Sequence, residues 1–200
     1  MAVSGYGLKP VQLLGGKAFS GGTIREMVVT AAAATNPICN GDLVTSAAGV
    51  VLTVATSPVS IVAGTVNTNT PIGVCVGVRF TDPVLKQTQH ANFLPATSTS
   101  YTNIFAKVVD DPDVLFQARY DGAITSTSVG SNCALTFVAG NTTTGAAKSY
   151  MSGIATTATL GFRVVDIVAS GTDPVTGTAY TDIIVKYNAN THAYALVTGQ

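Results

Sequence analysis

Two hundred residues with a formal net charge of zero suffice for one domain, or one domain with arms, and for a core without disulfide staples. Charged residues make up 10% of the chain against roughly 25% in ordinary soluble domains, so much of the surface is expected to be covered by copies of the chain or by another protein. The ten lysines and arginines are scattered singly from Lys9 to Lys186. Nucleic-acid binding needs clustered cations to release counterions, which excludes DNA and RNA as direct partners.

The first 22 residues hold six glycines and no basic stretch followed by an apolar run, so no signal peptide is expected. Gly15-Gly16 and Gly21-Gly22 lack the Lys-Ser/Thr of a phosphate loop. Tyr6, Leu8, Val11, Leu13 and Leu14 are too apolar for a solvated tail. The segment reads as an arm, residues 1–22, that orders across a neighbouring subunit.

Thr23 to Thr30 reads as a strand. A helix through Ala31 to Ala34 is stopped by Thr35-Asn36-Pro37. Asn40-Gly41-Asp42 is a turn, followed by strands at Leu43-Val44 and Val50 to Val54. The apolar stretch Ala47 to Val66 is broken by Ser57-Pro58 and is not a membrane span. Ser57 to Thr70 reads as a surface loop or projecting hairpin. Pro71 opens a strand through Phe80, where Gly73 and Gly77 mark a bulge or a close backbone approach. Thr81-Asp82-Pro83 is a turn, and Gln87 to Phe93 leads to the breaker Leu94-Pro95.

Phe105 to Gly122 organises the chain. Two apolar strands, Ile104 to Val109 and Val114 to Tyr120, flank Asp110-Asp111-Pro112-Asp113, which holds three of the ten acidic residues. Phe116, Ala118 and Tyr120 alternate with Gln117 and Arg119, which puts the aromatics on one face. The acidic turn is either a strand connector or an acid or cation site. Pro112 fixes its own φ and pushes Asp111 out of the helical region, and Asp side chains close turns on backbone N–H groups. The calcium-loop pattern with its terminal Glu is missing. The connector reading is preferred for Asp110, Asp111 and Asp113.

Ala123 to Thr159 reads as long loops around a strand at Leu135 to Val138, with a short helical turn within Ser149 to Ala158. Leu160 to Val168 is a strand, residues 170–177 a long turn, and Asp182 to Tyr187 a strand that pairs back. His192 to Thr198 is expected to close the sheet. The whole is all-β: a single β-sandwich or barrel over residues 23–200, jelly-roll-like, with little helix.

Chemistry is sparse. Cys39, Cys75 and Cys133 form no CxxC pair and read as buried free thiols, not zinc ligands. His90 and His192 have no nucleophile motif around them and read as surface or edge residues. Glu26, the sole glutamate, reads as a salt-bridged surface residue beside Arg25. No catalytic residue, cofactor or metal is expected, and the chain is not read as an enzyme.

Two segments carry a resemblance. Ser4-Gly5-Tyr6-Gly7-Leu8-Lys9-Pro10-Val11 and the V-D-D-P-D-x-x-F-x-x-x-x-D-G segment from Val109 to Gly122 are similar to small decoration (cement) proteins of tailed-phage heads. The Gly41-Asp42-Leu43-Val44 turn and the Ile72 to Phe80 strand fall between them in a similar order. The resemblance implies a structural virion protein on the outer surface of the capsid, made in the host cytoplasm. Its partners would be the major capsid protein and itself, most simply as a homotrimer, with no membrane and no nucleic acid. Tyr6, Leu8, Val11 and Leu14 are the arm residues expected to touch the shell. A different expectation is a β-sandwich that projects from a virion and recognises a host glycan or protein through the loops at Ser57 to Thr70 and Ala123 to Thr159.

Overall fold

The computed structural model describes residues 5–29, 37–47, 50–53, 70–95, 100–168, 180–188 and 191–195. The expected loop at Ser57 to Thr70 and the turn at 170–177 lie largely or wholly outside them. The described chain is all-β. Its strands are β1 (Lys9–Leu13), β2 (Ile24–Val28), β3 (Ile38–Cys39), β4 (Leu43–Ala47), β5 (Val50–Thr53), β6 (Pro71–Thr81) and β7 (Thr88–Ala91). They continue with β8 (Phe93–Leu94), β9 (Thr102–Val109), β10 (Val114–Arg119), β11 (Asn132–Thr136), β12 (Tyr150–Ala155), β13 (Phe162–Ile167) and β14 (Asp182–Tyr187).

These strands build two large antiparallel sheets. The first has the order β1-β10-β14-β13-β11-β12, and the second β2-β9-β6-β4-β5, with β7 added to β6 beyond the end of β4. Strands β3 and β8 form a small third pair. The first sheet curls until its far strand returns: Tyr120, just past β10, bridges Met151 of β12, and the Asp121 N–H donates to the Met151 carbonyl at 3.1 Å. In the second sheet β5 lies against β2 at the opposite end of the order. Curling of this kind shields edges that a flat sheet would leave open.

The period-two side-chain rule distributes the apolar residues between two cores. Along β10, Val114, Phe116 and Ala118 point into the first sheet with Ile183, Val185 and Tyr187 of β14 and Phe162 and Val164 of β13. Neighbouring residues in the second sheet split between cores. Leu43, Val74 and Val109 join the first, while Val44, Cys75 and Val108 join Ile38, Val78, Phe80, Leu94 and Ile104 in the second. This double duty explains why β6 is apolar at successive positions instead of alternating. Gly73 of β6 exists for close approach: a Cβ there would collide with the Val109 carbonyl oxygen and the Val108 side chain. Gly77, at a break in the β6–β9 register, marks the expected bulge.

Three expectations are corrected. The described part of residues 1–22 is not a separate arm. Lys9–Leu13 pairs with β10 from Lys9↔Gln117 to Leu13↔Val114, and Leu8 is fully buried, because the segment's apolar residues complete the chain's own core. Ser149 to Ala158 holds strand β12, not a helical turn. It pairs with β11, and a register shift near Gly153 hides its alternation. Of His192 to Thr198, the described residues form a short 3-10 turn at Ala193–Ala195, of which only Ala193 packs against the second core, not a closing strand.

Candidate interaction surface

The Asp110–Asp113 turn carries the chain from β9 in the second sheet to β10 in the first. The connection thus spans two sheets. Asp111 Oδ1 accepts the Asp113 N–H at 2.9 Å, and the Val114 N–H reaches the Asp111 carbonyl at 3.3 Å. The turn is thus closed by its own side chain. Asp110 is buried, and its Oδ2 receives the Arg25 Nε at 3.1 Å and the Tyr194 hydroxyl at 3.2 Å. Arg25 also donates to the Tyr194 oxygen at 3.2 Å. One carboxylate therefore ties β2, the sheet crossing and the C-terminal turn.

Behind this triad the aromatic rings pack edge to face. Tyr187 lies 4.7 Å from His192, which lies 5.4 Å from Tyr194. His192 is completely buried, which corrects the surface reading, and desolvation holds its imidazole below the usual histidine range. The same burial, with the Asp110 charge beside it, pushes the Tyr187 hydroxyl well up. His90 does lie exposed on β7, with its Nδ1 3.4 Å from Lys107 Nζ. Glu26 is exposed and salt-bridged, to Arg79 at 2.7 Å and not to Arg25. All three cysteines are buried and free.

The four expected contact residues divide. Val11 and Leu14 are exposed, at 37% and 46%. Tyr6 is half-buried beneath two cations, with Lys9 Nζ 4.3 Å and the Arg119 guanidinium 5.4 Å from its ring. Leu8, fully buried in the core, is withdrawn from the contact set. Beyond β1 the chain reverses at Leu13 to Lys17, where the Leu13 N–H meets the Lys17 carbonyl at 2.8 Å. Gly15 and Gly16 take φ of 95° and 81° there, in open space. The Leu14 N–H donates to the Asp113 carbonyl at 2.8 Å, so this tip is fastened to the acidic turn. On the other side of that turn, Thr23, Ile24 and Arg25 line a shallow cleft of about 240 Å³ with Asp110 and Asp111. The surface around the acidic turn therefore shows Leu14 and Ile24, both exposed, beside a neutralised carboxylate.

Among the described residues no group of three or more His, Cys, Asp or Glu side chains is placed to hold a metal ion, and no helix is long and apolar enough to cross a membrane. The partners of Asp110 were not legible in advance, because Arg25 and Tyr194 are 85 positions before and 84 after it in the chain. A second feature passed over in the sequence is the pair Val84-Leu85, apolar residues directly after the Asp82-Pro83 turn. They are the two most exposed large apolar side chains among the described residues. Comparison with family models, with curated proteins and with solved structures finds no match for the chain.

Proposed function

We propose that the chain is a structural virion protein that decorates the mature head of a tailed phage and stabilises it by bridging neighbouring major capsid subunits. The observation that carries this reading is the surface. Charge is sparse at 10% of residues, and large apolar side chains stand exposed on a body whose cores are already filled: Val11, Leu14 and Ile24 near the acidic turn, Val28 at the far end of β2, and Val84 and Leu85 at a hairpin tip. Apolar groups left outside a packed core favour a partner surface. The resemblance of the Ser4–Val11 and Val109–Gly122 segments to cement proteins supplies the kind of partner and the expectation of a trimer.

The physical task is linkage. A subunit that binds the assembled shell and not its separated parts raises the free energy needed to take the shell apart. Binding through exposed strand-tip side chains asks little reordering of a body held by two cores, which limits the entropic cost of association. The test is the heat resistance of heads with and without the chain. Heads that carry it should release their DNA at a higher temperature, and identical release temperatures would contradict the reading.

A further inference from the structure

The β6–β7 hairpin ends in a turn built to hold two apolar side chains in water. Asp82 Oδ1 accepts the N–H groups of Val84 at 2.7 Å and of Leu85 at 2.8 Å. The Lys86 N–H closes on the Asp82 carbonyl at 3.0 Å, and the Asp82 N–H on the Gln87 carbonyl at 3.0 Å. Pro83 fixes its own φ at the first position after the Asp. Lys86 takes a left-handed φ of 56° to let the chain return. The base of the finger is equally fixed: Phe80 is buried against Tyr101 with ring centres 4.6 Å apart, and Asn103 donates to the Thr81 hydroxyl at 3.4 Å. On this rigid mount Val84 is 84% and Leu85 58% exposed.

A turn that merely joined two strands would gain nothing from apolar residues at its tip, where Asn, Gly or Ser serve equally well. Surface apolar residues held by four hydrogen bonds in one conformation resemble the pre-organised anchors of interfaces, which lose little entropy on docking. Charge narrows the partner. The Asp82 carboxylate is turned inward onto the two N–H groups. The Lys86 ammonium has no partner among the described residues, so the tip presents two aliphatic groups and one unpaired cation.

We propose that Val84 and Leu85 are the anchor by which the chain seats in an apolar pocket of the shell protein, with an acidic group on the pocket's rim meeting Lys86. This rests on the head-decoration reading and names the residues and partner chemistry for it. The experiment measures the affinity of purified wild-type chain, Val84→Asp/Leu85→Asp, and Lys86→Glu for mature heads by co-sedimentation. Both side chains stand mostly in water, so the double variant keeps the fold, which an unchanged melting curve verifies. The expected result is a loss of at least about tenfold in affinity for the double variant. A smaller loss is expected for Lys86→Glu, one that shrinks as salt is raised. Asp82→Ala, which frees the turn while keeping its apolar residues, should weaken binding as well. Equal affinity of wild type and double variant overturns this inference alone. A wild-type chain that does not bind heads overturns the head-decoration reading and this inference with it.

Discussion

Asp42 is a carboxylate in an environment its type avoids. It sits fully buried in the Asn40-Gly41-Asp42 turn, with Oδ2 accepting the Cys39 N–H at 2.8 Å and Oδ1 without a partner among the described residues. The turn is a junction of backbone hydrogen bonds: the Leu8 N–H reaches Gly41, Gly41 reaches Cys75, and Ala147 reaches Asn40. Burial pushes the Asp42 carboxyl up from 3.8 to about 7, opposed only by the Cys39 N–H. Between those values the folded chain holds a proton that the unfolded chain has released. This group's contribution is therefore full below pH about 4, declines as pH rises, and is gone above about 7. His192 acts in the opposite sense, since its lowered value gives stability above pH 6.5 that is lost as pH falls. Asp42→Asn keeps an acceptor for Cys39 and removes the titration. In urea unfolding, its stability relative to wild type should rise by roughly 1–3 kcal/mol between pH 4 and pH 8; a constant difference would refute the buried-acid account. The acidic turn yields a second prediction. Asp110→Ala removes the acceptor shared by the exposed Arg25 and Tyr194 side chains and should cost about 0.5–1.5 kcal/mol. Asp113→Ala, at an exposed position whose backbone alone holds Leu14, should stay within about 0.5 kcal/mol in thermal melts.

At the scale of elements, strands with clean alternation were legible and strands with bulges were not. β10 announces itself through Phe116, Ala118 and Tyr120 against Gln117 and Arg119, and β14 through Ile183, Val185 and Tyr187. In β12 the register shift at Gly153 brings Met151 and Ile154, an odd spacing, to the same core, which disguises the strand as a turn. The sheet crossing between β9 and β10 was invisible for another reason: a Pro-containing connector looks the same whether its strands pair with each other or leave for different sheets. The fate of β1 was hidden because Leu8 and Leu14 are equally apolar in the sequence, and only long-range pairing with β10 decides which is inside. Gly73 and Gly15 separate two uses of glycine. Gly73→Ala drives a methyl into the backbone of β9 and should cost at least about 2 kcal/mol. Gly15→Ala has open space and pays only for its positive φ, about 1 kcal/mol. Comparable losses at the two sites in denaturant unfolding would argue against the β6–β9 packing described.

The whole molecule joins a well-filled interior to an exterior that carries few charges. Deleting residues 1–22 would remove β1 and take Leu8 from the core, so the contact surface is better probed by Leu14→Asp, at an exposed position beside the acidic turn. That variant should melt like wild type and bind heads more weakly, by about three- to thirtyfold if Leu14 is a contact. The central claim is that this surface belongs against a phage head. Co-sedimentation of the purified chain with mature and precursor heads of the phage that encodes it tests this most directly. Saturable binding to the mature head at a fixed ratio to the shell subunits is expected. Absence of binding to either head, with the chain folded, would contradict it.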